Sequence, residues 1–93
     1  MIKSFVDMET EQFYVAGKSR KIPATIHKAA LRKLDYLNGA VMLDDLKVPP
    51  ANRLERLKGD LQSFYSIRIN KQYRIIFKFD NGDAYDVKII DYH

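Results

Sequence analysis

The chain has no cysteine, only two histidines and no glycine-rich stretch. Without cysteine there can be no disulfides, thiolate metal sites or cysteine nucleophiles. His27 and His93 show no ligand-like spacing to each other or to a carboxylate cluster, so no metal centre is expected. The four glycines are isolated, which excludes a phosphate-cradling loop. No serine sits in a nucleophile-elbow pattern. Apolar runs are short as well. The longest, residues 73–79, is interrupted by Arg74 and Lys78 and falls far below the roughly 18 residues of a membrane span. Residues 1–7 lack the apolar region of a signal peptide. Low-complexity tracts and internal repeats are absent. These absences point to a cytoplasmic protein with no membrane partner and no small-molecule cofactor.

What remains is 93 residues, 46% hydrophobic and 30% charged. That is enough for one core and suggests a single domain spanning 1–93, with no room for a deep, lidded substrate cavity. The net charge of +4 is unevenly spread. Residues 18–34 hold Lys18, Arg20, Lys21, Lys28, Arg32 and Lys33 and no acid. Residues 53–78 hold seven bases against Glu55 and Asp60. Two basic blocks on a small domain fit an anionic partner, either nucleic acid or an acidic protein segment. Ordinary solvated lysines would give the same composition.

Periodicity supplies the elements. Residues 2–5 read as a short opening strand, and the acidic stretch 7–16 as a possible helix stopped by Gly17. Pro23 suits a first helical position. Ile26, Ala30, Leu34 and Leu37 then mark one face of a helix over about 23–38, closed by Asn38-Gly39. Residues 40–52, with Pro49-Pro50, read as a loop in which Val41, Leu43 and Leu46 pack inward. From Arg53 the period becomes two. Residues 53–57 suggest a strand and Lys58-Gly59-Asp60 a turn. Three alternating runs follow, the last two joined by Asn81-Gly82, a strong hairpin signal. Their arrangement is an antiparallel meander. One face gathers Tyr65, Ile67, Ile69, Tyr73, Ile75, Phe77, Tyr85, Val87 and Ile89, and the helix stripe is its natural cover. The other gathers Ser66, Arg68, Arg74, Lys78 and Lys88, with Ile76 and Ile90. The expected fold is therefore α+β: N-terminal helices on one face of a twisted antiparallel sheet, with the opposite face basic and exposed.

Few residues can carry chemistry. His27 reads as a helix-surface residue. His93 closes the sequence Asp91-Tyr92-His93 and is either a frayed tail or a group delivered to the rim of the basic face. A histidine beside a tyrosine and a carboxylate is suited to proton transfer. Lys58 at its turn and Arg74 in mid-strand are either solvated or positioned to neutralise a phosphate. Arg68, Lys78 and Lys88 on the same face would add nucleic-acid backbone contacts.

The second half of the chain carries a resemblance. It reads Pro49-Pro50-Ala51-Asn52-Arg53-Leu54-Glu55-Arg56-Leu57-Lys58-Gly59-Asp60, then Tyr65-Ser66-Ile67-Arg68-Ile69-Asn70, Tyr73-Arg74-Ile75, Asp83-Ala84-Tyr85-Asp86-Val87 and Asp91-Tyr92-His93. Together with Met1-Ile2-Lys3-Ser4-Phe5 and Ala30-Leu31-Arg32-Lys33-Leu34, this resembles the HigB branch of the RelE/ParE toxins of type II toxin–antitoxin modules. The resemblance implies a small RelE-like α+β domain. It also implies a metal-independent endoribonuclease that cuts mRNA in the decoding site of the 70S ribosome and so inhibits translation. The implied partner is a HigA-like helix-turn-helix antitoxin. Carried over by motif, the site is Lys58, Arg74, Asp91, Tyr92 and His93. The sequence departs from the family pattern after Gly59-Asp60, where Leu61-Gln62-Ser63-Phe64 stands in place of an arginine and a glycine. The expected mechanism uses the substrate 2′-OH as nucleophile. His93, oriented by Asp91, moves protons, Tyr92 stacks or shares in that transfer, and Lys58 and Arg74 stabilise the phosphate charge. The alternatives are a ParE-like toxin that inhibits DNA gyrase by binding, and a ribosome-binding module without cleavage.

Overall fold

The structure, a computed structural model, describes residues 1–92. The named elements are α1 (Met8–Ala16), α2 (His27–Gly39), β1 (Glu55–Arg56), β2 (Tyr65–Arg68), β3 (Tyr73–Asp80) and β4 (Asp83–Asp91). The strands form one antiparallel sheet in the order β1-β2-β3-β4. Both helices pack on one of its faces, as the alternation of the strands predicts.

Local chemistry sets the helix ends. The Asp7 side chain accepts the Thr10 N–H at 2.9 Å, an N-cap for α1. Gly17 ends α1 at φ 81°, and its N–H donates to the Phe13 carbonyl at 2.7 Å. Before α2 the chain makes a single 3₁₀ turn, Ala24–Ile26, entered from Pro23. The helical rise thus begins where the proline predicts it, with its first turn tighter than α. The stripe Ile26, Ala30, Leu34 and Leu37 is buried against Ile67, Ile75, Phe77 and Val87. Each large apolar side chain sunk there contributes about 1.5–3 kcal/mol.

Asn81 and Gly82 take φ 50° and 85°, as a two-residue primed hairpin turn requires. A Cβ on Gly82 would also meet the Val41 carbonyl at 3.2 Å. Asn70 pins the β2–β3 turn by accepting the N–H groups of Gln72 at 2.8 Å and Tyr73 at 2.7 Å.

Four expectations change. Residues 2–5 form no strand of the sheet. They make isolated parallel bridges, Ile2 to Ala84 and Phe5 to Val87, along the outer edge of β4. Val41 is exposed rather than inward, and Leu46 alone of its trio is fully buried in a loop built from two 3₁₀ turns, Leu43–Lys47 and Pro50–Asn52.

The third change concerns Tyr85. Ile76 pairs with Lys88 but Lys78 pairs with Tyr85, so Phe77 faces two residues, Asp86 and Val87. This is a β-bulge, with Asp86 at φ 52°, a left-handed conformation aspartate tolerates. Ser4 holds it: its Oγ accepts the Asp86 N–H at 2.8 Å. The extra residue resets the alternation, turning Tyr85 to the outer face beside Lys78 and leaving Ala84 in the core.

The fourth change concerns the outer face, which is not simply exposed. Ser66, Arg74 and Ile76 are buried on it, and so is Leu57, outside the main core cluster. The Phe64 ring lies 5.1 Å from the Lys78 Nζ, and the Tyr92 ring lies 4.4 Å from the Arg74 guanidinium carbon. The chain after β1 and Tyr92 thus form a second, thin layer there.

Candidate active site

The register tests which predicted residues share a face. Arg68 pairs with Arg74, Arg74 with Ile90, Ser66 with Ile76, and Ile76 with Lys88. Arg68, Arg74, Lys78 and Lys88 therefore do lie on the outer face together. Glu55 pairs with Ser66 and joins them there.

Arg74 is the centre of this group. Its residue exposure is only 7%, yet it sits in a strand rather than in a salt-bridged core. Its Nη1 lies 3.9 Å from the Glu55 carboxylate, too long for a hydrogen bond. Among the described residues, its buried Nε and Nη1 have no hydrogen-bond partner. Tyr92 stacks on the guanidinium at 4.4 Å. A buried cation is normally fully hydrogen-bonded. One held in place with unused donors is set up to receive an anion, and a guanidinium suits the paired oxygens of a phosphate.

Lys58 lies at the edge of the same region. It is exposed and stands in extended backbone just before the 3₁₀ turn Gly59–Leu61. It shares a shallow hollow of about 250 Å³ with Glu55, Arg56, Leu57, Leu61 and Tyr92. The structure thus brings Lys58, Arg74 and Tyr92 into one neighbourhood from three separate parts of the chain. Glu55, which sequence reasoning passed over, belongs with them. Its only signal in the sequence is its place three residues before Lys58.

Two other predicted residues stand differently. Asp91 pairs with Tyr73, which packs on the helix-side core, so the register turns Asp91 to the opposite face from Arg74. Its carboxylate accepts the Gln72 Nε2–H at 3.1 Å. The expected delivery of Asp91 to the rim of the basic face therefore does not occur. His93, the expected proton-transfer group, lies outside the described residues. Lys78 pairs with Asp86 at 3.3 Å, at the bulge. His27, read from the sequence as a helix-surface residue, is half-buried: its Nε2–H donates to the Ile22 carbonyl at 2.7 Å, and its ring packs 5.0 Å from that of Phe13.

Three shifted titrations lie outside this group of residues. Burial, then the Asp35 carboxylate that accepts its hydroxyl at 3.0 Å, raises the Tyr14 pKa. Burial, then the neighbouring Arg32, lowers that of Lys33. Backbone N–H groups of Met42 and Val41 hold Asp45 below the ordinary carboxylate value. A larger hollow of about 940 Å³ lies between α1 and residues 18–21, on the helix layer. Its lining side chains are exposed or half-buried, with no buried donors converging on it, and its size alone assigns it no chemistry.

The sequence and the fold are similar to those of known proteins. Over 85 residues, covering 90% of each chain, the sequence is 47% identical to Toxin HigB-1 of Vibrio cholerae. Over 93 residues, covering all of both chains, it is 32% identical to Endoribonuclease HigB of Proteus vulgaris. Its fold is similar to that of a chain in the YoeB–YefM complex of Staphylococcus aureus, with a TM-score of 0.58 at 17% identity, covering 100% of this chain and 98% of that one. YafQ of Escherichia coli gives a TM-score of 0.57 at 12% identity, covering 98% of this chain and 93% of that one. The family model of RelE-like HigB toxins from type II toxin–antitoxin systems matches residues 3–93, and the chain belongs to that family.

Proposed function

We propose that this toxin, acting as one domain over 1–93, is an endoribonuclease that cuts mRNA in the decoding site of the 70S ribosome. The observation that carries this reading is Arg74, a nearly buried guanidinium whose Nε and Nη1 have no partner among the described residues. It lies on a cationic face with Lys58 and Tyr92 close by. Membership of a toxin–antitoxin family brings an antitoxin partner, here of the HigA-like helix-turn-helix kind.

The reaction needs no group beyond the RNA and these side chains. The ribose 2′-OH attacks the adjacent phosphorus as its proton is removed. The phosphate gathers negative charge, the bond to the 5′-oxygen breaks, and that oxygen takes a proton. The products are a 2′,3′-cyclic phosphate and a 5′-hydroxyl. Arg74 meets the phosphate oxygens through its unused donors, and Lys58 adds a second positive charge. Tyr92 holds the guanidinium flat and offers a ring edge to a base. The Glu55 carboxylate, beside Arg74, is positioned to accept the 2′-OH proton. His93, adjacent in sequence to Tyr92, supplies the proton to the leaving oxygen. Asp91 acts from the far face of the strand by fixing the chain that carries them. An open face this shallow cannot itself bend RNA for in-line attack, and the ribosome supplies that orientation.

Primer extension on mRNA held in programmed ribosomes tests the proposal. The wild-type protein should give a cut in the decoding-site codon that is absent on naked mRNA. His93→Ala should lower the rate by about 10²–10⁴. Rapid cutting of naked RNA, or no cut on ribosomes, overturns the reading.

A further inference from the structure

Arg74 does not stand alone. Arg68 is its register partner across β2 and β3. Facing residues of an antiparallel pair hold their Cβ atoms about 5 Å apart, where like charges repel. Glu55 approaches Arg74, but no described carboxylate forms an ion pair with Arg68. The Arg68 Nε is nevertheless buried and without a hydrogen-bond partner among the described residues. Ser66, fully buried on the same face, also leaves its Oγ unpartnered there. Two guanidinium groups and a hydroxyl thus leave four polar atoms unsatisfied in one patch. A strand pair of like charges stays together most readily when anions lie over it.

The two heads have different surroundings. Glu55, beside the Arg74 Nη1, pairs with Ser66, two residues along β2 from Arg68. Glu55 and Tyr92 thus engage the Arg74 head, while the buried Arg68 Nε has no hydrogen-bond partner among the described residues. Resting on the nuclease reading above, we propose that Arg68 is a second phosphate subsite, which holds the phosphodiester flanking the one cut at Arg74. Arg68 is then a positioning residue: it fixes the register of the RNA and leaves the chemical step to its neighbours.

The test counts phosphates. The probes are a 2′-O-methylated, uncleavable diuridine with its single internal phosphate, and the same compound with an extra 5′- or 3′-phosphate. Each is titrated into the full-length protein and followed by NMR. One of the two added phosphates should tighten wild-type binding about tenfold. Arg68→Gln should erase that preference, Arg68→Lys should keep part of it, and Arg74→Gln should weaken all three probes. On programmed ribosomes Arg68→Gln should raise KM about tenfold at unchanged kcat. It should also flatten the slope of log affinity against log salt by about 0.7, the loss of one single-strand phosphate contact. Equal wild-type affinity for the three probes overturns the subsite, as does a preference that survives Arg68→Gln, or failure of every probe to bind. Any of these, with wild-type cleavage on ribosomes intact, leaves the nuclease reading standing. Absence of wild-type cleavage removes that reading first and the subsite with it.

Discussion

The two faces of one sheet have been put to opposite uses. On the helix side, Ile67, Ile75, Phe77 and Val87 are fully buried against α2, and no buried side-chain polar atom there is left unpartnered among the described residues. Lys33 illustrates this. It is a buried residue of α2 itself, but its ammonium donates to the Asn52 side chain, and Asn52 in turn donates to the carbonyls of Leu46 at 3.2 Å and Val48 at 3.3 Å. On the outer side burial is nearly as deep at Ser66, Arg74 and Ile76, yet the polar atoms are not satisfied. The difference teaches that burial by itself does not mark a structural core. Where polar groups are satisfied, burial stabilises. Where cationic donors are covered but unused, the fold gives up stability to hold them ready for an anion.

Four substitutions test this contrast. The largest effect should come from the satisfied side. Phe77→Ala should lower unfolding free energy by about 3–5 kcal/mol, read as a drop in the urea midpoint. Arg74→Gln should do the reverse in kind. Cleavage on programmed ribosomes should fall by about 10²–10³, the scale of removing a preorganised donor to developing charge. Its melting temperature should hold or rise, because a buried cation whose Nε and Nη1 make no hydrogen bond has been removed. A fall in Tm as large as that of Phe77→Ala would erase the distinction between the faces.

Asn52→Ala should cost about 2–4 kcal/mol in urea unfolding, since it strands the Lys33 ammonium and two carbonyls in the interior. The smallest effect concerns the loop that Asn52 anchors. The Asp45 carboxylate accepts the N–H groups of Val41 and Met42, each at 3.0 Å, and its pKa is lowered by them. A carboxyl whose folded pKa is depressed adds stability above its unfolded value, 3.8, and loses it as the pH falls through the folded one. Asp45→Ala should therefore lower Tm slightly at pH 7 and not at all well below pH 3.8. An equal loss at both pH values would assign the effect to packing.

Much of this was readable in the chain, and the failures have local causes. The 3.6-residue stripe over residues 26–37 is strong because four apolar side chains repeat on one face, and the helix is where it should be. The Asn81-Gly82 hairpin is legible because few residue pairs accept two successive positive φ angles. Tyr85 went to the wrong face because alternation assumes an unbroken period of two. The bulge at Asp86 breaks that period through a contact with Ser4, 82 residues away. Residues 2–5 look like a strand because their composition is right, but edge pairing gives them only two bridges. In the site, Lys58 and Arg74 were accessible from motif and from face. Glu55 was not, because a lone glutamate in a basic segment reads as an ordinary surface charge until the register sets it beside Arg74.

The sequence by itself determined the class of fold, the cationic face and the residue types available for phosphate chemistry. Those follow from periodicity and composition, which are local. Only the tertiary structure decided that Arg74 is covered while its donors stay unused, that Tyr92 stacks on it, and that Asp91 turns to the other face. Each depends on strand register and on which distant segment lies over the sheet. Local propensity does not encode these, because a one-residue shift reverses every side chain at no local cost.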